Sequence, residues 1–250
     1  MLGGGHLEAF VRVYTHRCSL AVLLPLACFL AQACASPAPQ APQPTSPQPR
    51  RVFVGDRQDL VEYRALRRED FLLSSPPVRA DTTSGHVAAV TCAGLVPNPG
   101  LKFRAVREPT ASEFEVSVDN LSFSARMDPT CSWWDDRSQF VDPKYVLQHE
   151  QIHFAIVELE ARELNRRAGE IAEKLRTRAA TGEAALAAAK QAFNAEYEAA
   201  LQRTAARSKA FDLETSLGLS PEKQTTWQER IDQELAASSA FAAPAPAAAP

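Results

Sequence analysis

Two histidines and a glutamate in the segment His149-Glu150-Gln151-Ile152-His153 have the types and spacing of a metal site. Residues four apart lie on one face of a helix about one turn apart, so both imidazoles can reach one zinc ion. The Glu150 carboxylate lies beside that ion, where it can accept a proton from water whose pKa the metal has lowered. The motif predicts zinc-dependent hydrolysis of an amide or ester, with Glu150 as general base.

A catalytic zinc site needs a third protein ligand, which the two histidines do not supply. Two acids follow on the same predicted helix. Glu158 lies about 180° round that helix from His149, and Glu160 lies roughly 10 Å beyond His153. Neither acid is therefore expected to complete the site.

A helical hairpin offers the third ligand from its second helix. Asp142-Pro143 supplies an N-cap and a favoured first helical residue, and Thr181-Gly182 breaks the helix-forming run. If the chain folds back at that break, position 212 lies opposite the middle of the histidine pair. We expect Asp212 to complete a site of two histidines and one carboxylate, with Glu214 in reserve and His86 as a competing ligand.

The first half of the predicted domain, residues 51–141, has the residue spacing of short strands. Apolar residues alternate from Phe114 to Val118 and again from Leu121 to Met127. Asp119-Asn120 between these two runs has turn chemistry, which predicts an antiparallel hairpin. We therefore expect a small antiparallel β-rich subdomain here.

The second half, residues 142–237, is rich in good helix formers. The runs of these residues predict one helix from Lys144 to about Ala179, a second from Ala184 to about Lys209, and a shorter one after Ser220-Pro221. The fold class expected for the whole domain is α+β. A β-rich N-terminal subdomain is followed by a long α-helical hairpin that carries the motif, and then by a short C-terminal helix.

Both ends of the chain have the composition of export and linker sequence. Residues 1–35 combine basic residues, an apolar run and small residues, the pattern of a signal peptide. Residues 36–50 form a Pro-rich linker and residues 238–250 an Ala/Pro tail, which leaves 51–237 as the folded domain. We expect an exported protein, in the periplasm, in the cell envelope or secreted, with no transmembrane helix after processing. Lipidation of Cys34 is the alternative to simple cleavage.

Cysteines, tryptophans and net charge set further limits on the domain. Cys92 and Cys131 remain after the export segment, and an even pair in an oxidising compartment predicts a disulfide; two buried thiols or a metal role are the alternatives. Trp133-Trp134 is expected in the core rather than in a substrate cleft, and Trp227 is expected to pack the third helix against the hairpin. A net charge of −3 gives no basic field for binding nucleic acid.

Several short segments occur together in an order that resembles one protein family: Ser132-Trp133-Trp134, Leu147 to Phe154, Ala161-Arg162, Phe211 to Thr215, Gly218, Gln224 and Trp227. The family comprises bacterial secreted zinc-dependent proteases of the zincin type, grouped as a domain of unknown function. The similarity covers most of residues 60–230. It implies a secreted zinc metallopeptidase that acts on a peptide or protein substrate.

The chain departs from the family pattern at two positions. The family has tyrosine before the aspartate and histidine before the glycine, where this chain has Phe211 and Leu217. Asp212 matches the family and is the expected third ligand. The loss of that histidine leaves open an alternative from another class, a non-catalytic envelope protein or degenerate zincin that uses the helical hairpin as a binding surface.

Overall fold

The computed structural model describes residues 60–75, 88–136 and 142–243. Strands dominate the N-terminal part of these ranges and long helices the C-terminal part, which confirms the α+β fold class. The predicted signal peptide and linker, Cys34, His86 and most of the predicted tail lie outside the described residues. None of the described helices is both long and apolar enough to cross a membrane.

Short antiparallel strands in the described residues form three small sheets, with strand orders β1-β6-β3, β2-β7 and β4-β5-β8. The strands are β1 Val61–Glu62, β2 Ala89–Val90, β3 Ala93–Pro97, β4 Lys102–Val106, β5 Phe114–Asp119, β6 Phe123–Met127, β7 Trp133–Trp134 and β8 Arg178–Ala179.

The two strands predicted on either side of Asp119-Asn120 are present as β5 and β6, but the predicted hairpin between them is wrong. β5 pairs with β4 and β8, whereas β6 pairs with β3 and β1. Asn120 does form a turn, with φ 56°, and the chain then passes into a different sheet. Alternating apolar residues specify that a segment is a strand and which face is buried, but they do not specify its partner.

Four helices follow in the described part of the chain: α1 Pro143–Arg166, α2 Ala168–Leu175, α3 Gly182–Glu214 and α4 Pro221–Ala237. α1 begins where predicted, because the Asp142 side chain accepts a hydrogen bond from the Lys144 amide and Pro143 occupies the first turn. α3 begins at the predicted break, where the Thr181 hydroxyl caps the Ala184 amide.

The single helix predicted from Lys144 to about Ala179 is wrong in its last third. α1 ends at Arg166, α2 ends at Leu175, and β8 then pairs with the start of β5. The Thr177 carbonyl accepts a hydrogen bond from the Val116 amide at 3.0 Å. After Leu175, pairing with β5 therefore prevails over the helix propensity of the residues up to Ala179.

α1 is the central element, in contact with β3 and β6 on one side and with α3 and α4 on the other. One apolar cluster joins Phe154 and Leu164 of α1 to Leu95 and Phe123 of the sheet. A second cluster joins α1 to the last turns of α3 and to α4: Ile152, Ile156, Phe211, Trp227 and Ile231. This second cluster fixes the distance between the motif on α1 and the end of α3.

The tryptophans occupy the core positions predicted for them. Trp133 and Trp134 form β7 and are 3% and 7% exposed, and Trp227 packs between α4 and the hairpin. Trp134 also borders a surface cavity of about 310 Å³, where the Arg68 guanidinium lies over its ring.

Candidate metal centre

α1 positions both histidines of the motif toward one point. His149 and His153 are one turn apart, and their Nε2 atoms are 3.3 Å from each other. His153 is almost fully buried, whereas the His149 side chain is 13% exposed. The Phe211 ring packs against both imidazoles, with ring centroids 4.5 Å from His149 and 5.0 Å from His153. The packing restricts rotation of both rings.

α3 brings Asp212 to the same point, two residues before the helix ends. Asp212 Oδ1 lies 2.9 Å from His153 Nε2 and 3.4 Å from His149 Nε2. The reserve candidate Glu214 is directed elsewhere and accepts a hydrogen bond from the Trp227 indole at 2.9 Å. Among the described residues, His149, His153 and Asp212 therefore form a group that can hold a metal ion.

The spacing of these three donor atoms fits a small tetrahedral ion. Ligand atoms about 2.0–2.1 Å from such an ion lie roughly 3.3 Å apart. The three separations in the structure are 2.9, 3.3 and 3.4 Å. A fourth position stays available, because three protein ligands leave one corner of the tetrahedron open.

Glu158 and Glu160, which were not expected to complete the site, are engaged in ion pairs. Glu158 is buried and accepts a hydrogen bond from Arg162 at 2.7 Å, and Glu160 accepts one from Arg203 at 2.7 Å. Neither acid belongs to the metal-binding group found in the described part of the chain. The competing ligand His86 lies outside the described residues.

Glu150 is buried beside the histidines and is held by the backbone between β2 and β3. Its Oε2 accepts a hydrogen bond from the Thr91 amide at 2.6 Å, and the residue is 3% exposed. The next residue, Cys92, forms a disulfide with Cys131, their Cα atoms 5.9 Å apart. The Cys92 amide also donates to Ser132 Oγ at 2.9 Å. The chain segment that orients Glu150 is thus linked covalently to the loop before β7.

The electrostatic field at the site favours positive charge. Burial alone lowers the pKa of His149, but the hydrogen bond to Asp212 and the negative charges of Glu150 and Asp212 outweigh it. The net effect raises the pKa of His149 above its ordinary value. A group of acceptors that stabilises a proton on His149 also attracts a metal cation, which competes for the same lone pair.

Gly218 and Gln224, which follow α3 in the chain, lie against His149 and were not predicted as part of the site. Gly218 adopts φ +82° and approaches the imidazole so closely that a Cβ there would lie 3.2 Å from Nδ1. Gln224 on α4 presents Oε1 to the same nitrogen at 3.1 Å. The sequence did contain a signal for Gln224, because it shares the buried stripe of α4 with Trp227 and Ile231. A glutamine at such a position needs buried hydrogen-bond partners.

Comparison of the chain with family models, with curated proteins and with solved structures gives no match in any of the three.

Proposed function

We propose that this chain is an exported zinc-dependent peptidase in which His149, His153 and Asp212 hold the metal and Glu150 is the general base. The observation that carries the proposal is the convergence of two imidazole nitrogens and one carboxylate oxygen at separations of 2.9 to 3.4 Å. Two histidines and one carboxylate form a donor set used by catalytic zinc sites. A bound zinc ion supplies a Lewis acid that acidifies water and polarises a substrate carbonyl.

Differences in exposure among the ligands indicate how a substrate reaches the centre. The Asp212 side chain is 23% exposed, compared with 13% for His149 and 2% for His153. A substrate therefore approaches from the Asp212 side, where the end of α3 meets the following turn. The buried side of the site is closed by α1 and the apolar cluster around Phe211.

Glu150 is suited to remove a proton from the attacking water. It directly follows His149 on α1, and its Oε2 is fixed by the Thr91 amide. The other carboxylate oxygen accepts the proton and later transfers it to the leaving amine. Hydrolysis of a peptide bond by this route needs no covalent intermediate with the protein.

The metal content of the purified full-length chain tests the metal centre. We expect about one zinc per chain in the wild type. His153→Ala and Asp212→Asn are expected to lose the metal, because each removes one of three ligands. Asp232→Asn is the matched control on an exposed position of α4, and His86→Ala tests the competing ligand. A wild-type chain without stoichiometric zinc would contradict the proposal.

Hydrolysis of an unstructured protein such as casein tests the general base. Glu150→Gln is expected to lower the rate by about 10²-fold or more while zinc content stays unchanged. The control Glu160→Gln, on the same helix but paired with Arg203, is expected to retain activity. Turnover that survives Glu150→Gln would remove the base. Zinc binding without turnover in the wild type would instead support the non-catalytic envelope protein.

A further inference from the structure

Gln224 connects α4 to the metal centre through hydrogen bonds at both ends of its amide. Its Oε1 lies 3.1 Å from His149 Nδ1, and its Nε2 donates to the Tyr145 carbonyl and to Gln148 Oε1, each at 3.0 Å. The side chain is fully buried, with 0% exposure. Burying an amide is favourable only if its polar atoms are bonded, and the three contacts meet that condition.

The partners of the amide determine which of its atoms faces His149. The Tyr145 carbonyl is a main-chain oxygen and can only accept, so the amide nitrogen must point toward it. The amide oxygen is then left for His149, and an oxygen can only accept. His149 Nδ1 must therefore carry the hydrogen, and the lone pair of the imidazole is on Nε2. Nε2 is the atom that faces His153 and Asp212.

We propose that Gln224 is a positioning residue that holds His149 in the tautomer and orientation required for metal binding through Nε2. The inference rests on the proposed zinc binding and makes α4 a part of the metal centre. A hydrogen bond to the non-coordinating nitrogen of a histidine fixes the ring and raises the basicity of the coordinating nitrogen. Tyr145 and Gln148 act in turn as anchors for Gln224, so the first turns of α1 and α4 determine the orientation of the ligand together.

Substitutions at Gln224 separate this positioning from simple packing. Gln224→Met keeps the approximate volume but removes the hydrogen bonds, and we expect the zinc affinity to fall by about 10- to 100-fold in a competition with a chelator. Gln224→Glu keeps an acceptor for Nδ1 but cannot donate to the Tyr145 carbonyl or to Gln148, so we expect it to bind zinc more tightly than Gln224→Met and less tightly than the wild type. The matched control is Gln228→Met, one turn later on α4, where the side chain donates a hydrogen bond to the exposed Asp232. It is expected to leave affinity unchanged.

A spectroscopic measurement tests the same proposal on the unchanged protein. In the zinc-loaded wild type, NMR of the histidine side chains should show an exchange-protected Nδ1–H on His149, and this signal should be lost in Gln224→Met. Its absence in the zinc-loaded wild type would overturn the proposal even if a variant failed to fold. Equal zinc affinity in Gln224→Met and wild type would do the same. A wild type that binds no zinc would instead refute the proposed function.

Discussion

At the scale of single residues, the carboxylates of Asp212 and Glu150 lie close to the imidazoles of His149 and His153. Asp212 lies in the last turn of α3, which has no basic residue, so its carboxylate is close to the negative end of the helix dipole. Glu150 adds a buried carboxylate nearby. Carboxylates brought together in a partly buried place repel each other, and a cation bound by Asp212 and the two histidines would offset that repulsion.

The raised pKa of His149 predicts how pH changes metal binding. The pKa is raised because the Asp212 hydrogen bond and the charges of Glu150 and Asp212 outweigh burial, which alone would lower it. In the metal-free chain, protonated His149 adds stability below its unfolded pKa of about 6.5, and this stability is lost as pH rises through the folded pKa. Zinc needs the neutral imidazole, so stabilisation by zinc should increase over the same range.

Thermal unfolding with and without zinc, at about pH 6 and about pH 8, checks this pH dependence. The difference in Tm caused by zinc should be larger at the higher pH. His153→Ala should show no such difference at either pH, because it lacks a ligand. An effect of zinc that is independent of pH, or that decreases as pH rises, would contradict the prediction.

Gly218 predicts a second effect at the residue scale. Gly218→Ala places a Cβ 3.2 Å from His149 Nδ1 at φ +82°, a conformation in which alanine is strained. We expect a loss of about 1–2 kcal/mol in the free energy of unfolding, together with weaker zinc binding because the imidazole is displaced. Urea unfolding and zinc titration measure the two effects.

Gly169→Ala is the control for that substitution. Gly169 lies in α2, and beyond the adjacent residues and the backbone of its own helix the described residues place nothing within 4 Å of the added Cβ, so alanine there should be neutral or stabilise the chain by up to about 1 kcal/mol. Unchanged stability and unchanged zinc affinity in Gly218→Ala would show that the close approach to His149 is not needed.

At the scale of elements, local chemistry predicted where helices start and why Asp212 is near the histidines. The cap at Asp142 and the break at Thr181-Gly182 are local signals. The prediction of position 212 assumed continuous helix up to that break, and Asp212 lies beside the histidines although α2 and β8 occupy the last part of that interval. The end of α1 at Arg166 and the separation of β5 from β6 depend on partners distant in sequence, namely β8 and β3. Neither could be read from periodicity, because each results from competition between tertiary contacts.

The contact between α1 and α4 depends on a buried ion pair as well as on the apolar cluster. The Arg162 guanidinium donates to Glu158 at 2.7 Å and to the Leu235 carbonyl at 2.6 Å, near the end of α4. Arg162→Met should cost about 3–5 kcal/mol in the free energy of unfolding, since it leaves Glu158 buried without its charged partner. Adding Glu158→Leu should recover most of that loss.

A matched control for the ion pair lies one turn further along α1. Arg166 pairs with Glu163, but both side chains are well exposed, at 50% and 39%. Arg166→Met should therefore cost less than about 1 kcal/mol. Urea unfolding of Arg162→Met, Glu158→Leu, the double variant and Arg166→Met decides the matter: additive losses from the two single variants would show that Arg162 and Glu158 do not act as a pair.

At the scale of the whole molecule, the helices carry the candidate metal ligands, and the segment between β2 and β3 contacts the carboxylate of the proposed base, Glu150. His149, His153, Asp212 and Gln224 are on α1, α3 and α4, whose mutual packing rests on the cluster around Phe211. The Thr91 amide that fixes Glu150 lies between β2 and β3, beside the disulfide. Glu150 is on α1 with the histidines, but the contact that orients its carboxylate comes from a different part of the fold than the contacts among the candidate ligands.

Removing the disulfide tests whether zinc binding and the orientation of Glu150 can be affected separately. Cys92 and Cys131 are 39 residues apart, so replacing both by serine should lower the free energy of unfolding by about 4 kcal/mol through the entropy of the unfolded chain. Zinc content at a temperature where the variant is still folded should match the wild type, because no ligand is on this loop. Hydrolysis should fall, because Thr91, next to Cys92, then holds Glu150 less firmly. Loss of zinc in the folded variant would show instead that the ligands depend on the sheets.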